Sequence, residues 1–368
     1  ITWSASAKPA SVAARSPSMA VEPTQPTPRR DGLLRVALWG CAALAACAPA
    51  PTVHSFGGAT MGTTYSVQVV TDGASARGSD IASTQAAVDA LLVDVNARFS
   101  TYQSDSLISR LNRAPGDVSF PVDEELLDVL GLALQIADAS GGAYDPTVEP
   151  LVRLLGFGPE SDGDPLSEAD FDAARALVGV DKLEVLPGPA VRKAMAGVEV
   201  DLSSIAKGAG VDAVSDLLSA LGFPSHMVEI GGEVVCRGTK PAGLPWRIGI
   251  ERPRAGEAGR PIQQAVELRD RAVATSGSYR NFREMGGVLV HHVLDARTGR
   301  NAPNGVVSVS VLAPDCALAD GLATALMVVG PDEAERVLGA FPGVDLDVLF
   351  LMAADEGVVE RAFGWPSR

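Results

Sequence analysis

Met227-Val228-Glu229-Ile230-Gly231-Gly232-Glu233-Val234-Val235-Cys236-Arg237 is the stretch that decides the fold. Residues 227–230 and 234–237 each have the composition of a short strand, and only three residues lie between them. A parallel pair needs a crossover of a dozen or more residues, so these two runs pair antiparallel. Residues 246–250, 288–294 and 306–312 are further strand candidates, most of them too close together for an intervening helix. Towards the N-terminus, residues 63–70 are rich in β-branched side chains and include Tyr65, as a strand requires. Residues 80–98 carry Ile81, Val88, Leu91, Leu92 and Val95 at helical spacing. Asp123 is placed to cap a second helix that carries Leu126, Leu127, Leu130 and Leu134 and stops at Gly141-Gly142. Ser167 with Asp170 forms a capping box for a third. Turn-forming clusters over 157–166 and 252–261 read as exposed loops, neither long enough to be a domain linker, and there is no internal repeat. The expectation is an α+β fold of largely antiparallel sheets packed with helices.

The 368 residues are 46% apolar and include 38 glycines, enough for a large core in one domain or two intimate ones. A net charge of −15 argues against a sequence-independent grip on nucleic acid, which needs a basic face to displace phosphate counterions. An anionic ligand must therefore be held locally. Five lysines stand against 25 arginines, which makes Lys207, inside a glycine-rich segment, conspicuous.

Arg29-Arg30 and Arg35 precede an apolar run over 36–46 that is too short to span a bilayer. Leu44-Ala45-Ala46-Cys47, followed by Ala48-Pro49-Ala50-Pro51, looks like a bacterial lipobox in which Cys47 is lipidated; a short buried helix is the alternative. Residues 1–28 are Ser/Ala/Pro-rich, disordered or upstream of the true start, for which Met19 is a candidate. The expected division is a disordered leader and lipoprotein signal peptide over 1–47 and a folded domain over 48–368, in the bacterial periplasm and tied to the membrane through Cys47. The inner membrane is expected, with the outer left open because Ala48 is not the acidic residue associated with inner-membrane retention. Cys236 and Cys316 remain in the body, either paired or as two buried thiols, and no Cys/His spacing resembles a zinc site.

Four segments have the makings of ligand loops. Thr60-Met61-Gly62-Thr63-Thr64-Tyr65 sets hydroxyls around a glycine that lets a partner approach the backbone, although the start of an ordinary strand would look the same. In Gly141-Gly142-Ala143-Tyr144-Asp145-Pro146-Thr147 the glycines stop a helix, and Asp145, extended ahead of Pro146, aims its carboxylate off the turn. Asp201-Leu202-Ser203-Ser204-Ile205-Ala206-Lys207-Gly208-Ala209-Gly210 follows the strand-like Val198-Glu199-Val200 and runs into a helical pattern. Helix N-terminal N–H groups near Lys207 suit a phosphate, unless Ser203 or Ser204 simply caps the helix; neither a P-loop nor a dinucleotide fingerprint is present. The fourth segment, Thr275-Ser276-Gly277-Ser278-Tyr279-Arg280-Asn281-Phe282, precedes Val290-His291-His292-Val293-Leu294-Asp295. Adjacent residues on a strand face opposite ways, so one histidine at most serves a given pocket. There it is a satisfied core residue or, beside a phosphoryl-transfer centre, a general base for a hydroxyl. Finally, Asp320-Gly321-Leu322-Ala323-Thr324 puts a carboxylate and a hydroxyl at i and i+4 of an apolar helix. Hard oxygens so placed suit Mg2+, while a solvated polar stripe is the plainer reading.

Taken in order, these segments resemble the ApbE family, the FAD:protein FMN transferases. The resemblance is carried by Thr60-Met61-Gly62-Thr63, Tyr144-Asp145-Pro146-Thr147-Val148, Asp201-Leu202-Ser203 with Ala206-Lys207-Gly208, Glu229-Ile230-Gly231-Gly232-Glu233, Ser276-Gly277-Ser278-Tyr279-Arg280, His292-Val293-Leu294-Asp295 with Thr298-Gly299, and residues 320–324. It makes 48–368 an ApbE-like transferase domain and implies an enzyme that binds FAD as substrate, splits its pyrophosphate with Mg2+ and releases AMP. FMN then joins through a phosphoester to a Thr or Ser hydroxyl of an acceptor flavoprotein, such as a membrane redox complex. It also implies that Met61, Tyr102, Ala143, Tyr144, Asp145, Ser203, Ala209 and Leu294 line the FAD site, with Tyr102 stacking on a flat ring. Asp320 and Thr324 would hold the cation through side chains, Ala206 and Ala323 through nearby backbone oxygens, and His292 would activate the acceptor hydroxyl. Leu155 stands where the family often has an aromatic, and Ser203-Ser204 replaces a common glycine. FAD hydrolysis in the same pocket and non-catalytic FAD binding are the rival readings.

Overall fold

Strand β1 (Thr52–Thr60) reverses into β2 (Thr63–Thr71) through only Met61-Gly62, and β6 (His226–Ile230) reverses into β7 (Glu233–Arg237) through only Gly231-Gly232. All four turn residues have positive φ, the backbone that two-residue hairpins demand and that glycine adopts without strain. These hairpins come from a computed structural model that describes residues 50–72, 78–157, 167–253, 261–278, 282–285, 288–355 and 357–366. The leader with Cys47, most of the two expected loops and Tyr279-Arg280-Asn281 lie outside the described residues.

Between the hairpins run α1 (Gly78–Phe99), α2 (Leu107–Arg113), β3 (Ser119–Pro121), α3 (Glu124–Ala139), α4 (Glu149–Leu154), α5 (Glu168–Arg175), β4 (Leu183–Leu186), β5 (Ala190–Lys193) and α6 (Ser203–Ala220). After them come β8 (Trp246–Glu251), β9 (Ile262–Leu268), β10 (Arg271–Gly277), β11 (Phe282–Met285), β12 (Val288–His291), β13 (Val306–Ala313), α7 (Cys316–Val329), α8 (Ala334–Gly339), β14 (Asp347–Ala353) and β15 (Val358–Phe363). Asp123 accepts from the Leu126 N–H at the start of α3, and the Ser167–Asp170 capping box opens α5, as the sequence predicts. No described helix is long and apolar enough to cross a membrane.

Eight strands form one sheet in the order β1-β2-β6-β7-β10-β13-β14-β15, antiparallel at every pairing, which bears out the α+β expectation. Strand alternation sorts its side chains. Val67, Val69, Val228 and Val235 bury against Val88 and Leu92 of α1 and Val211, Val214 and Leu218 of α6. Val234 and Cys236 point the other way, into Trp246, Ile250, Val266 and Leu268 of the β8–β9 ribbon. Cys316 lies on the helical side, so the sheet itself separates the two cysteines, and both are free buried thiols. α7 lies beside α6 and is backed by α3, with Leu126, Leu130 and Ile136 in one core with Leu318, Leu322 and Leu326. At Gly208 a Cβ would stand 2.4 Å from the Cys316 carbonyl oxygen, so only glycine lets α6 and α7 come this close.

Two strand expectations change at their ends, in both cases because an asparagine replaces a neighbouring strand. Residues 198–200 are not in a ladder: the Val200 N–H donates to Asn112 Oδ1 at 2.8 Å, and Asn112 Nδ2 donates to the Val200 carbonyl at 2.9 Å. β12 stops at His291 rather than at 294, and Asn301 Nδ2 then donates to the carbonyls of His291 and Val293. Buried backbone groups must find partners, and an amide side chain supplies them without a strand.

Candidate active site

The two tight turns emerge side by side, tied by the Gly231 N–H to the Thr64 carbonyl at 3.1 Å. Beside them open the end of β10, the start of α6 and one face of α7, and together they enclose a cleft of about 1160 Å3. Drug-sized ligands occupy roughly 300–1,000 Å3, so this cleft has room for a dinucleotide. Met61 (φ 48°) is one of few non-glycine residues in the left-handed region, a conformation kept where surrounding structure requires it, and it lines the cleft.

Helix α7 presents Asp320 and Thr324, one turn apart, into the cleft. Asp320 is buried; its Oδ2 accepts the Gly208 N–H at 3.0 Å, and Lys207 Nζ lies 3.4 Å from both of its oxygens. The same ammonium is 3.4 Å from Glu233 Oε1. Burial pushes the Asp320 carboxyl above the usual range, with Lys207 pulling it back. Burial likewise opposes the Lys207 charge, but the two acids more than offset it and hold the ammonium above its ordinary value. Glu233 Oε2 is buried with no hydrogen-bond partner, the mark of surplus negative charge. Thr324 Oγ1 shares a hydrogen bond with Ser276 Oγ at 2.9 Å.

At the start of α6 the serine cap, the plainer alternative to a phosphate site, is not formed. Leu202 is the cap position and makes no side-chain bond; Asp201 instead accepts from the Ser203 N–H and hydroxyl, each at 2.8 Å. Ser204 Oγ donates to the Tyr144 hydroxyl at 3.0 Å, and burial pushes that phenol up. A carboxylate already faces the helix N-terminus, and Lys207 is shared by two others. Asp145, Glu149, Asp201, Glu233 and Asp320 line the cleft, so a pyrophosphate entering it meets like charge that a cation would offset.

Aromatic side chains also line the cleft. Tyr102 is 71% exposed, with its hydroxyl donating to the Phe157 carbonyl at 3.2 Å, so its ring is open to stacking. Phe157 meets the His292 ring edge-on at 6.3 Å. Of the two histidines, His292 lines the cleft and His291 is the bystander: its Nδ1 meets Asn301 Nδ2 at 3.1 Å, and burial, with His292 adjacent, pulls it down to about 4.

Met61, Tyr102, Tyr144, Asp145, Ser203, Ala206, His292, Leu294, Asp320 and Thr324 therefore share one cleft. Ala143, Ala209 and Ala323 are off its wall: Ala143 is fully buried and its carbonyl accepts the Ala296 N–H at 3.0 Å, while Ala209 and Ala323 sit on other faces of α6 and α7. Asp145 does not aim its carboxylate off the turn. Oδ1 accepts the Thr147 N–H and hydroxyl and Oδ2 the Val180 N–H, so it knits its own loop together. Glu233, Phe157, Ser276 and Glu149 belong to the cleft without having been chosen from the sequence. Glu233 carried a signal, as the first residue after a glycine pair; Glu149 carried none. Burial, then Asp201 and Glu199, push the Glu149 carboxyl up to about 8.

The donor set fits Mg2+. Among the described residues no three His, Cys, Asp or Glu side chains gather into a metal nest. One carboxylate with a hydroxyl and main-chain oxygens, completed by substrate phosphates and water, is how Mg2+ is ordinarily held.

Comparison with known proteins agrees with this geometry. Residues 61–348 match the ApbE family. A FAD:protein FMN transferase of Vibrio cholerae is 42% identical over 329 residues, covering 89% of this chain and 96% of that protein. One from Haemophilus influenzae is 38% identical, covering 90% and 95%. The solved structure of the flavin transferase ApbE from Vibrio cholerae superposes with a TM-score of 0.75 at 39% identity, covering 85% of this chain and 97% of that one. The apo form of the Pseudomonas stutzeri flavinyl transferase ApbE gives 0.75 at 36%, covering 86% and 99%. With sequence and fold in accord over nearly the whole described body, the chain belongs to the ApbE family.

Proposed function

We propose that the chain is a FAD:protein FMN transferase that uses Mg2+ and joins FMN to a Thr or Ser hydroxyl of an acceptor protein. The observation that carries the reading is that one cleft holds both aromatic rings, Tyr102 and Phe157, and the buried acids Asp320 and Glu233 beside Thr324. A dinucleotide has a flat ring for the first and a diphosphate for the second. Asp320 and Thr324, with a main-chain oxygen near Ala206, would hold Mg2+, which when bound offsets the charge of the diphosphate and of the transferring phosphoryl group. Met61 and Tyr144 add apolar surface to the cleft wall. His292 takes the proton of the acceptor hydroxyl; that oxygen bonds to the FMN phosphorus, the phosphoanhydride bond breaks, and AMP leaves with the bridging oxygen. Residues 29–47 support export and a lipid on Cys47, which would place the cleft at the periplasmic face of a membrane, within reach of a membrane-bound redox acceptor.

The test mixes protein, FAD and Mg2+ with and without an acceptor domain that carries an exposed Thr. Flavin fluorescence fixed to the acceptor on a denaturing gel, lost on adding a chelator, is the expected result. FMN released equally without acceptor indicates hydrolysis, and unchanged FAD indicates binding alone; either outcome overturns the proposal.

A further inference from the structure

Lys207 presents a difficulty for any cation at Asp320, because its ammonium already occupies that carboxylate, 3.4 Å from each oxygen. Two cations on one buried carboxylate repel one another where solvent screens them least. The ammonium has to move as metal arrives, and a buried charge needs a new partner. Glu233 provides it. Its Oε1 is 3.4 Å from Lys207 Nζ, and its Oε2 is buried and without a hydrogen-bond partner. Glu233 is held rigidly, as the residue that closes the β6–β7 hairpin opposite Ile230, while the lysine has a four-carbon stem with rotational freedom. Both side chains lie against Gly231: a Cβ there would stand 3.4 Å from both Glu233 Oε2 and Lys207 Cδ and 3.0 Å from Thr63 Cγ2, so glycine keeps that space clear.

We infer that Glu233 is a positioning residue that draws Lys207 off Asp320 when a divalent cation loads, so that Asp320 exchanges an ammonium for the metal. This rests on the proposed Mg2+ reading of the cleft. Without Glu233, Lys207 stays on Asp320 and competes with the metal. Without both, Asp320 stands free and metal affinity recovers. The exchange also leaves an ammonium beside the metal, facing the cleft, where a diphosphate would meet it.

The experiment titrates Mn2+ into the full chain without FAD, reading free Mn2+ by electron paramagnetic resonance. The unaltered chain, Glu233→Gln, Lys207→Met and the double variant are compared, with circular dichroism and melting to establish that each is folded. Glu233→Gln is expected to weaken Mn2+ binding about tenfold, a coupling of ordinary size for contacting charges, and the double variant to restore it. Equal affinity in the unaltered chain and Glu233→Gln overturns this inference while leaving the Mg2+ reading in place. Loss in Glu233→Gln that the double variant does not restore makes Glu233 a direct metal ligand and also overturns it. No Mn2+ binding by the unaltered chain removes the Mg2+ reading and this inference together.

Discussion

Two carboxylates face each other across the seam between α6 and α7, and they do opposite things. Asp212, on α6, accepts the first two N–H groups of α7, from Cys316 at 2.9 Å and Ala317 at 2.8 Å. Asp315, the residue in the cap position of α7, makes no side-chain cap bond, so a neighbouring helix supplies the cap. Asp320, on α7, accepts the Gly208 N–H of α6 and otherwise only a shared ammonium at longer range. Both carboxyls are pushed up by burial. The difference is in what satisfies them. Fixed backbone donors occupy both oxygens of Asp212, whereas Asp320 relies on a side chain that can move and opens onto the cleft. The first arrangement stabilises a fold; the second leaves a charge available for exchange.

The largest effect should separate the two. Asp320→Ala is expected to lower transfer by about a hundredfold to a thousandfold, since removing a group that stabilises transition-state charge costs on the order of 3–4 kcal/mol. Melting should change less, because Lys207 keeps Glu233 as a partner and the burial penalty on the Asp320 charge is removed with it. Asp212→Ala should do the reverse: turnover per folded molecule is kept, and the loss of two capping bonds costs about 1–3 kcal/mol. Equal losses of activity in the two variants would dissolve the distinction. Gel fluorescence and a thermal melt on the same preparations give the answer.

His292→Ala comes next. A general base contributes roughly 10²–10⁴-fold, so transfer should fall by that factor while FAD binding holds. The pH–rate profile should lose its acidic limb, and an unchanged limb would assign the proton transfer to another group. Tyr102→Ala should act more weakly still. Its ring is open at the mouth of the cleft, and stacking adds about 0.5–1.5 kcal/mol, so FAD dissociation should rise up to about tenfold with kcat nearly constant. Equilibrium titration of flavin fluorescence against the Asp320 variant measures both parts of the cleft on one scale.

How much of this was legible in the sequence follows the same division. Local rules read well: three residues between strands forced the β6–β7 hairpin, Asp123 and Ser167 marked helix starts, and the i, i+4 spacing put Asp320 and Thr324 on one face of α7. What depended on partners distant in sequence did not. Asn112 stands in for a strand beside Val200, 88 residues away, and no local pattern announces that. The helix stop at Gly141-Gly142 is legible, but the carboxylate of Asp145 turns back into its loop instead of off it, because the Val180 N–H that captures it is 35 residues on. Lys207 stands out in the sequence as an anion ligand, and its two carboxylate partners, from β7 and α7, make it the shared cation of an acidic pair. Periodicity tells which face a side chain is on; it does not tell what another segment brings to that face.

The smallest effect tests the sharpest part of the comparison, because two forces act on Asp212 in opposite directions. Burial raises its carboxyl to about 6, while the bonds from Ala317 and Cys316 lower it. If burial wins, the folded chain binds a proton more tightly than the unfolded chain does. The contribution of Asp212 to stability is then complete below pH about 4 and is lost as pH rises to about 6, by an amount on the order of 2 kcal/mol. Asp212→Asn keeps the size and one acceptor but cannot titrate. Urea unfolding of both proteins at several pH values between 4 and 7 isolates the difference, since Glu149 and the other titrating groups are common to both. The stability of the parent relative to Asp212→Asn should decline across that window and level off above it. A difference that grows with pH would mean that the two backbone donors at the helix N-terminus outweigh desolvation, and that Asp212 is held ionised by the α7 cap it provides.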